Sequence, residues 1–208
     1  MTKRPIIGIF LAAGKSSRMG QNKLMLAWND STIGSKSLEK AVQSRIDTVV
    51  VVTKPENSLG WLNPSFFSAQ EKKKWLPVSC ENADQGQAHS LRCGLKKAIE
   101  LQARAVVVIL ADQPLIQSEM LNRLITHYEI HDRIDYIASS LNGNMRPPIL
   151  FSESMFSQLM KLEGDIGARK LLLQYPKKQG TTIDYHDWRG FYDIDTKEDY
   201  AWIMTQNN

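Results

Sequence analysis

Cysteine is nearly missing: Cys80 and Cys93 are the only two in 208 residues. Two are too few for a disulfide framework, and neither has partners at zinc-ligand spacing. That content fits thiols in a reducing, cytoplasmic setting and argues against a metal held through sulfur. Long apolar runs are missing as well. The longest, residues 6–13 and 105–111, fall far short of the roughly 20 residues a membrane helix needs, so no membrane partner is expected. The amino terminus mimics a secretory leader, because Lys3 and Arg4 precede an apolar run that closes on Ala12-Ala13-Gly14. Gly8 breaks that run, and residues 6–23 make better sense as a working unit than as a leader. There is no Gly/Ser-rich linker, internal repeat or heptad run. Basic and aromatic residues do not interleave repeatedly, so a nucleic-acid platform is not indicated. His89, His127, His131 and His186 show no ligand or triad spacing, and no base adjoins either cysteine. Nucleophilic catalysis therefore has no constellation to rest on.

What is present is ordinary in amount and unusual in placement. With 42% hydrophobic and 23% charged residues, the chain reads as one folded domain over residues 1–208 and not as a disordered one. The net charge is only +4, but the signs are segregated. Residues 1–29 hold Lys3, Arg4, Lys15, Arg18 and Lys23 and no acid, whereas residues 184–199 hold Asp184, Asp187, Asp193, Asp195, Glu198 and Asp199 against Arg189 and Lys197.

Ile6 to Ala13 is a continuous apolar run, as a strand buried on both faces requires. Similar runs occur at Asp47 to Thr53, Ala105 to Ala111, Asp135 to Ser139 and Thr181 to Tyr185. Between them lie helical stripes: Leu38, Ala41 and Val42; Ala88, Leu91, Leu95, Ala98 and Ile99; Leu121, Leu124, Ile125 and Tyr128. Alternation of this kind predicts an α/β fold, with a mostly parallel sheet covered by helices and ligands bound beyond the carboxyl ends of the strands. Thr196 with Asp199 reads as a capping box that opens a last helix. Residues 55–77 are irregular, with Asn63-Pro64 able to start a short helix and Lys72 to Lys74 a solvated face.

Three segments can carry chemistry. Gly14 to Lys23 follows a buried strand, offers backbone N–H groups and carries three cations, so it suits an anion the size of a polyphosphate. It is not a Walker loop, because Ile9 stands where that motif needs glycine. Asp112 directly follows the run 105–111, at the sheet's carboxyl edge, where a hard carboxylate suits Mg²⁺ shared with phosphate. Asp193-Ile194-Asp195 can complete such a site, although Asp195 could equally serve the dipole of the last helix. Gly164 to Lys170 reads as a helix start with Asp165 near the cap, and its cations oppose the dipole, which points to an anionic substrate.

Leu11-Ala12-Ala13-Gly14-x-Ser16-x-Arg18-Met19-Gly20-x-x-Lys23 resembles the opening signature of nucleotidyltransferases with a Rossmann-like domain of nucleotide-diphospho-sugar transferase type. The resemblance is strongest to the molybdenum cofactor cytidylyltransferase group, of the purine-catabolism type required for xanthine dehydrogenase activity. Asn82, Gly86, Ser90-Leu91-Arg92 and Gly94, then Ala111-Asp112-Gln113-Pro114, Gly164-Asp165-x-Gly167-Ala168-Arg169 and Asp193-Ile194-Asp195-Thr196 look like that group's later motifs. The resemblance implies that CTP lies against Leu11, Ala12, Ala13, Gly14, Ser16 and Ser17, with Asn82, Gly86 and Ser90 also facing the nucleotide. It implies Mg²⁺ on Asp112 and Asp195, catalytic charge from Arg18 and Lys23, and molybdenum-molybdopterin near Asp165 and Arg169. A xanthine dehydrogenase apoenzyme is then a partner. Asn144-Met145-Arg146-Pro147-Pro148 departs from the group's Arg-Gly-His-Pro-like run. Guanylyl transfer within the same family is one alternative. The other is a non-catalytic molybdopterin carrier, for which the aromatic stretch 61–75 could provide a handover surface.

Overall fold

In the computed structural model, Ile6–Leu11 forms β1, an interior strand, third in a seven-stranded sheet ordered β5-β4-β1-β6-β8-β7-β9. The structure describes residues 3–14, 16, 18–56, 59–131, 133–174 and 180–206, without the side chains of Arg169, Lys170 and Gln174. The strands are β4 (Thr48–Thr53), β5 (Trp75–Ser79), β6 (Ala105–Leu110), β7 (Tyr136–Leu141), β8 (Asn144–Ser152) and β9 (Gly180–Tyr185). A separate two-stranded ladder joins β2 (Ala27–Trp28) and β3 (Ser31–Thr32). All main-sheet pairings are parallel except those of β8, which runs antiparallel to β6 and β7.

Both faces of β1 are apolar, so helices must cover both. On one side, Ile6, Phe10, Val49, Val51 and Val107 pack with Leu38 of α1 (Ile33–Gln43) and Leu121 and Leu124 of α3 (Ser118–Ile130). On the other, Ile7, Ile9, Val50 and Val106 pack with Leu91 and Leu95 of α2 (Gln87–Glu100), with Leu159 of α4 (Phe156–Leu159) and with Leu171 of α5 (Ala168–Gln174). Of the stripes anticipated for these helices, Leu38, Ala41 and Val42, then Ala88, Leu91, Leu95 and Ala98, then Leu121, Leu124 and Ile125 are buried, with Tyr128 partly so; Ile99, one position from the carboxyl end of α2, faces solvent instead. Asn63 caps a 3-10 turn with Pro64 in its first position. The capping box of Thr196 and Asp199 opens α6 (Lys197–Met204). No helix among the described residues is long and apolar enough to cross a membrane.

Four features differ from the sequence reading. Residues 144–152 form a central strand despite Pro147-Pro148. The ladder jumps from Ala138↔Ile149 to Ser139↔Arg146, so both prolines sit in the irregularity, where no ladder N–H is needed. Residues 75–79 form an edge strand, where Pro77 is tolerated. Most of the aromatic stretch is interior: Trp61 is fully buried and stacks with Phe10 at a centroid distance of 6.2 Å, and Phe66 and Trp75 are buried too, which leaves Phe67 as its exposed ring. The handover face expected of the carrier reading shrinks to that one ring. Finally, Cys80 and Cys93 are not separate thiols but a disulfide, with Cα atoms 5.9 Å apart, joining the turn after β5 to α2. Packing of α2 against the end of β5 brings them together, a proximity that their separation of 13 residues does not reveal.

Gly86, with φ +122°, turns the chain into α2, and a Cβ there would lie 2.3 Å from the backbone carbonyl of Gly164. Gly20 also has positive φ, at +69°, but faces open space. Gly86→Ala is therefore expected to cost about 3 kcal/mol, from strain plus overpacking, and Gly20→Ala only about 1 kcal/mol. Equal losses in thermal melts followed by circular dichroism would contradict the close approach.

Candidate active site

Because β1 and β6 are parallel neighbours with Leu11 opposite Leu110, the chain leaves both strands at the same level. Residues 12–23 and 111–114 start side by side. Strands β4 and β5 lie on one side of β1 and β6 on the other, so this is also where the winding of the sheet reverses, the position of the ligand crevice in open α/β sheets.

Three sets of contacts carry Lys23 back over this edge. Asn22 caps the 3-10 turn Lys23–Met25 by accepting the Leu24 N–H, and Ser16 Oγ accepts the Lys23 backbone N–H at 3.1 Å. Leu24 sinks into the core with Leu38 and Trp61. Met19, Leu26, Trp28 and Ile33 meet Ile194 and Ile203 in a third apolar cluster, tying the amino-terminal loop to the carboxyl-terminal segment. The Tyr200 hydroxyl reinforces the tie by donating to the Ala27 carbonyl at 2.7 Å. The Ile194 N–H donates to the Asp112 carbonyl at 3.0 Å, which sets Asp193 and Asp195 beside the end of β6.

The outcome is a compact charge cluster. Lys23, only 7% exposed, places Nζ 2.5 Å from Asp112 Oδ2 and 2.7 Å from Asp195 Oδ1. Burial works against the ammonium, but Asp112 and then Asp195 outweigh it and hold its pKa above the usual lysine value. Arg18 reaches the other oxygen of Asp195 at 3.2 Å from an exposed position, so that pair contributes little to stability. Asp193 lies behind the cluster. Burial first, and the charge of Asp112 second, push its pKa up to about 6, although Gln113 Nε2 donates to it at 2.8 Å. Gln113 Oε1 and Arg146 Nε are buried and without a hydrogen-bond partner among the described residues.

The donor set fits a hard divalent cation. Two carboxylate oxygens converge on one point, where the Lys23 ammonium now stands in for a cation. No group of three or more His, Cys, Asp or Glu side chains that could hold a metal occurs among the described residues. Two protein ligands would leave the remaining positions of such an ion to water or to a bound ligand.

The other expected residues are distributed around this centre. Leu11 is half-buried, Ala12 and Ala13 are buried on opposite faces of the sheet, and Gly14 is exposed; Ser16 holds the Lys23 backbone, and Ser17 lies outside the described residues. Asn82 is exposed before α2, and Ser90 is buried on that helix. Asp165 is not joined to Lys23, Asp112 or Asp195 by any hydrogen bond or ion pair among the described residues. Its Oδ1 instead accepts the Gln87 N–H at 3.3 Å, while the Gly164 carbonyl accepts the Ala88 N–H at 3.1 Å. It thus caps the amino end of α2. Arg169 lies in α5, with its side chain outside the described set. Gln113 is the site residue that sequence reasoning passed over. Its place in Asp112-Gln113-Pro114 was visible, but its burial and its bond to Asp193 were not.

Asp193 gives a pH signature. A folded pKa near 6 against an ordinary value of 3.8 means that its contribution to stability is whole below about pH 4 and is lost as pH rises through about 6. Asp193→Asn should therefore melt higher than the parent at pH 8 and converge with it at pH 4, in scans without divalent ions. A difference unchanged between the two pH values would contradict the assignment.

The model of the MobA-like NTP transferase domain matches residues 8–179, from β1 to just before β9. The chain is 40% identical over 199 residues to purine catabolism protein PucB of Bacillus subtilis, covering 95% of each. It is 24% identical over 163 residues to a probable molybdenum cofactor guanylyltransferase of Thermococcus sibiricus, covering 78% of this chain and 76% of that one. Rv0371c of Mycobacterium tuberculosis, solved in complex with manganese, shares the fold with a TM-score of 0.71 at 22% identity, over 99% of this chain and 100% of that one. A family match over most of the length, joined to the identity with PucB, shows that this chain belongs to the MobA-like NTP transferase family.

Proposed function

We propose that the protein transfers CMP from CTP to the terminal phosphate of molybdenum-molybdopterin, releasing pyrophosphate and making the dinucleotide cofactor of a xanthine dehydrogenase-type enzyme. The observation that carries this reading is the convergence of Lys23, Asp112 and Asp195 at the carboxyl edge of β1 and β6. It is what transfer from a triphosphate needs: cationic groups for the phosphates and paired carboxylates for a divalent ion. The name of PucB supports the purine-catabolism setting, and that of the Thermococcus relative supports a molybdenum cofactor substrate.

In this reaction an oxygen of the acceptor phosphate forms a bond to the α-phosphorus. The bond from that phosphorus to the bridging oxygen breaks, and pyrophosphate leaves with the electron pair. A phosphate nucleophile is already ionised at neutral pH, so no general base is required. Arg18 and Lys23 balance charge on the transferring and leaving phosphates. Asp112 and Asp195 would hold Mg²⁺, which when bound neutralises phosphate charge and orients the triphosphate. The manganese complex of a structural neighbour supports a divalent ion in this fold. Gly14 and Ser16 border the crevice, where exposed backbone can approach the nucleotide.

GTP is the second reading, favoured by the guanylyltransferase relative. Pyrophosphate release with purified molybdopterin cofactor separates the two: turnover with CTP well above GTP supports cytidylyl transfer, and the reverse supports guanylyl transfer. Asp112→Asn should lower kcat/KM by about 10²- to 10³-fold with the fold retained by circular dichroism. An Asp112→Asn enzyme with parental turnover would contradict the assignment of the site.

A further inference from the structure

The point at which Asp112 and Asp195 converge is occupied by a side chain of the protein itself. Lys23 Nζ lies 2.5 Å from Asp112 Oδ2 and 2.7 Å from Asp195 Oδ1, within reach of the two oxygens that a divalent ion would take. We infer that Lys23 closes the divalent-cation site in the nucleotide-free protein, and that the triphosphate opens it by drawing the ammonium onto its phosphates, so that the cation enters with or after the nucleotide. This inference rests on the function proposed above.

Three features make Lys23 a displaceable plug and not a permanent strut. Its backbone is held independently of its ammonium, by Ser16 Oγ at 3.1 Å and by the buried neighbour Leu24. The flexible stem can therefore swing while the loop stays in place. The carboxylates offer a free cation only two protein ligands, since no larger group of metal-binding side chains occurs among the described residues. A divalent ion arriving alone must expel a buried ammonium and complete its shell with water. Arriving with a triphosphate, it gains phosphate oxygens, and the ammonium gains an anion to move to. Arg18 touches only the outer oxygen of Asp195, at 3.2 Å and from solvent. It shares the charge of Lys23 without occupying the convergence point, which makes it the natural control.

The test is binding of Mn²⁺ alone, read by electron paramagnetic resonance without nucleotide, on the parent, Lys23→Met, Lys23→Gln and Arg18→Gln, with each fold checked by circular dichroism. Both Lys23 variants should bind Mn²⁺ at least about tenfold more tightly than the parent, and Asp112→Asn added to either should abolish the gain. Arg18→Gln should change affinity by less than about threefold. Equal affinities for the parent and the folded Lys23 variants would overturn the inference. So would an equal gain in Arg18→Gln, since that would be a general field effect and not occlusion. Because no turnover is read, the plug can stand while the proposed reaction fails, and the reverse can also occur.

Discussion

The organising interaction is a single ammonium held between two carboxylates that are far apart in sequence. Lys23 follows the first strand, Asp112 follows β6, and Asp195 precedes the last helix. A buried ammonium is costly unless paired, and truncating one member of such a group leaves the others uncompensated. Pairing this ammonium requires the three segments to meet, and the fold brings them together without it.

Two devices do so. The parallel pairing of β1 and β6 delivers the first loop and Asp112 to the same level of one sheet edge. The cluster of Met19, Leu26, Trp28, Ile33, Ile194 and Ile203 then closes the carboxyl-terminal segment over that edge. The hydrogen bond from Ile194 to the Asp112 carbonyl sets the register. Apolar packing supplies the proximity and the charges supply the chemistry. The segregation of basic and acidic residues to the two ends of the chain is the trace this arrangement leaves in the sequence.

Much of this is legible in the sequence. Ile6 to Ala13 and Ala105 to Ala111 were readable because a strand buried on both faces must be apolar throughout, and the long helices because their stripes, Ile99 at the end of α2 apart, lie on the faces they bury. The position of Asp112 followed from the end of its strand. What was hidden depends on neighbours that periodicity does not see. The strand 144–152 is masked by prolines that its irregularity accommodates, and the Cys80–Cys93 bond by the packing of α2. The helix-capping role of Asp165 depends on the close approach of Gly164 to Gly86. The burial of Gln113 and the partial burial of Asp193 belong to the same class, since they arise only when the acidic segment folds over the turn after β6.

The central claim is that this cluster receives a triphosphate together with its divalent ion. The most direct measurement is a crystal structure with Mn²⁺ and a non-hydrolysable CTP analogue, using the anomalous signal of the metal. The account predicts a manganese peak bound by Asp112 and Asp195, with the Lys23 ammonium displaced onto the phosphates. Nucleotide bound away from residues 12–23, or manganese held elsewhere with Lys23 still between the two carboxylates, would contradict it.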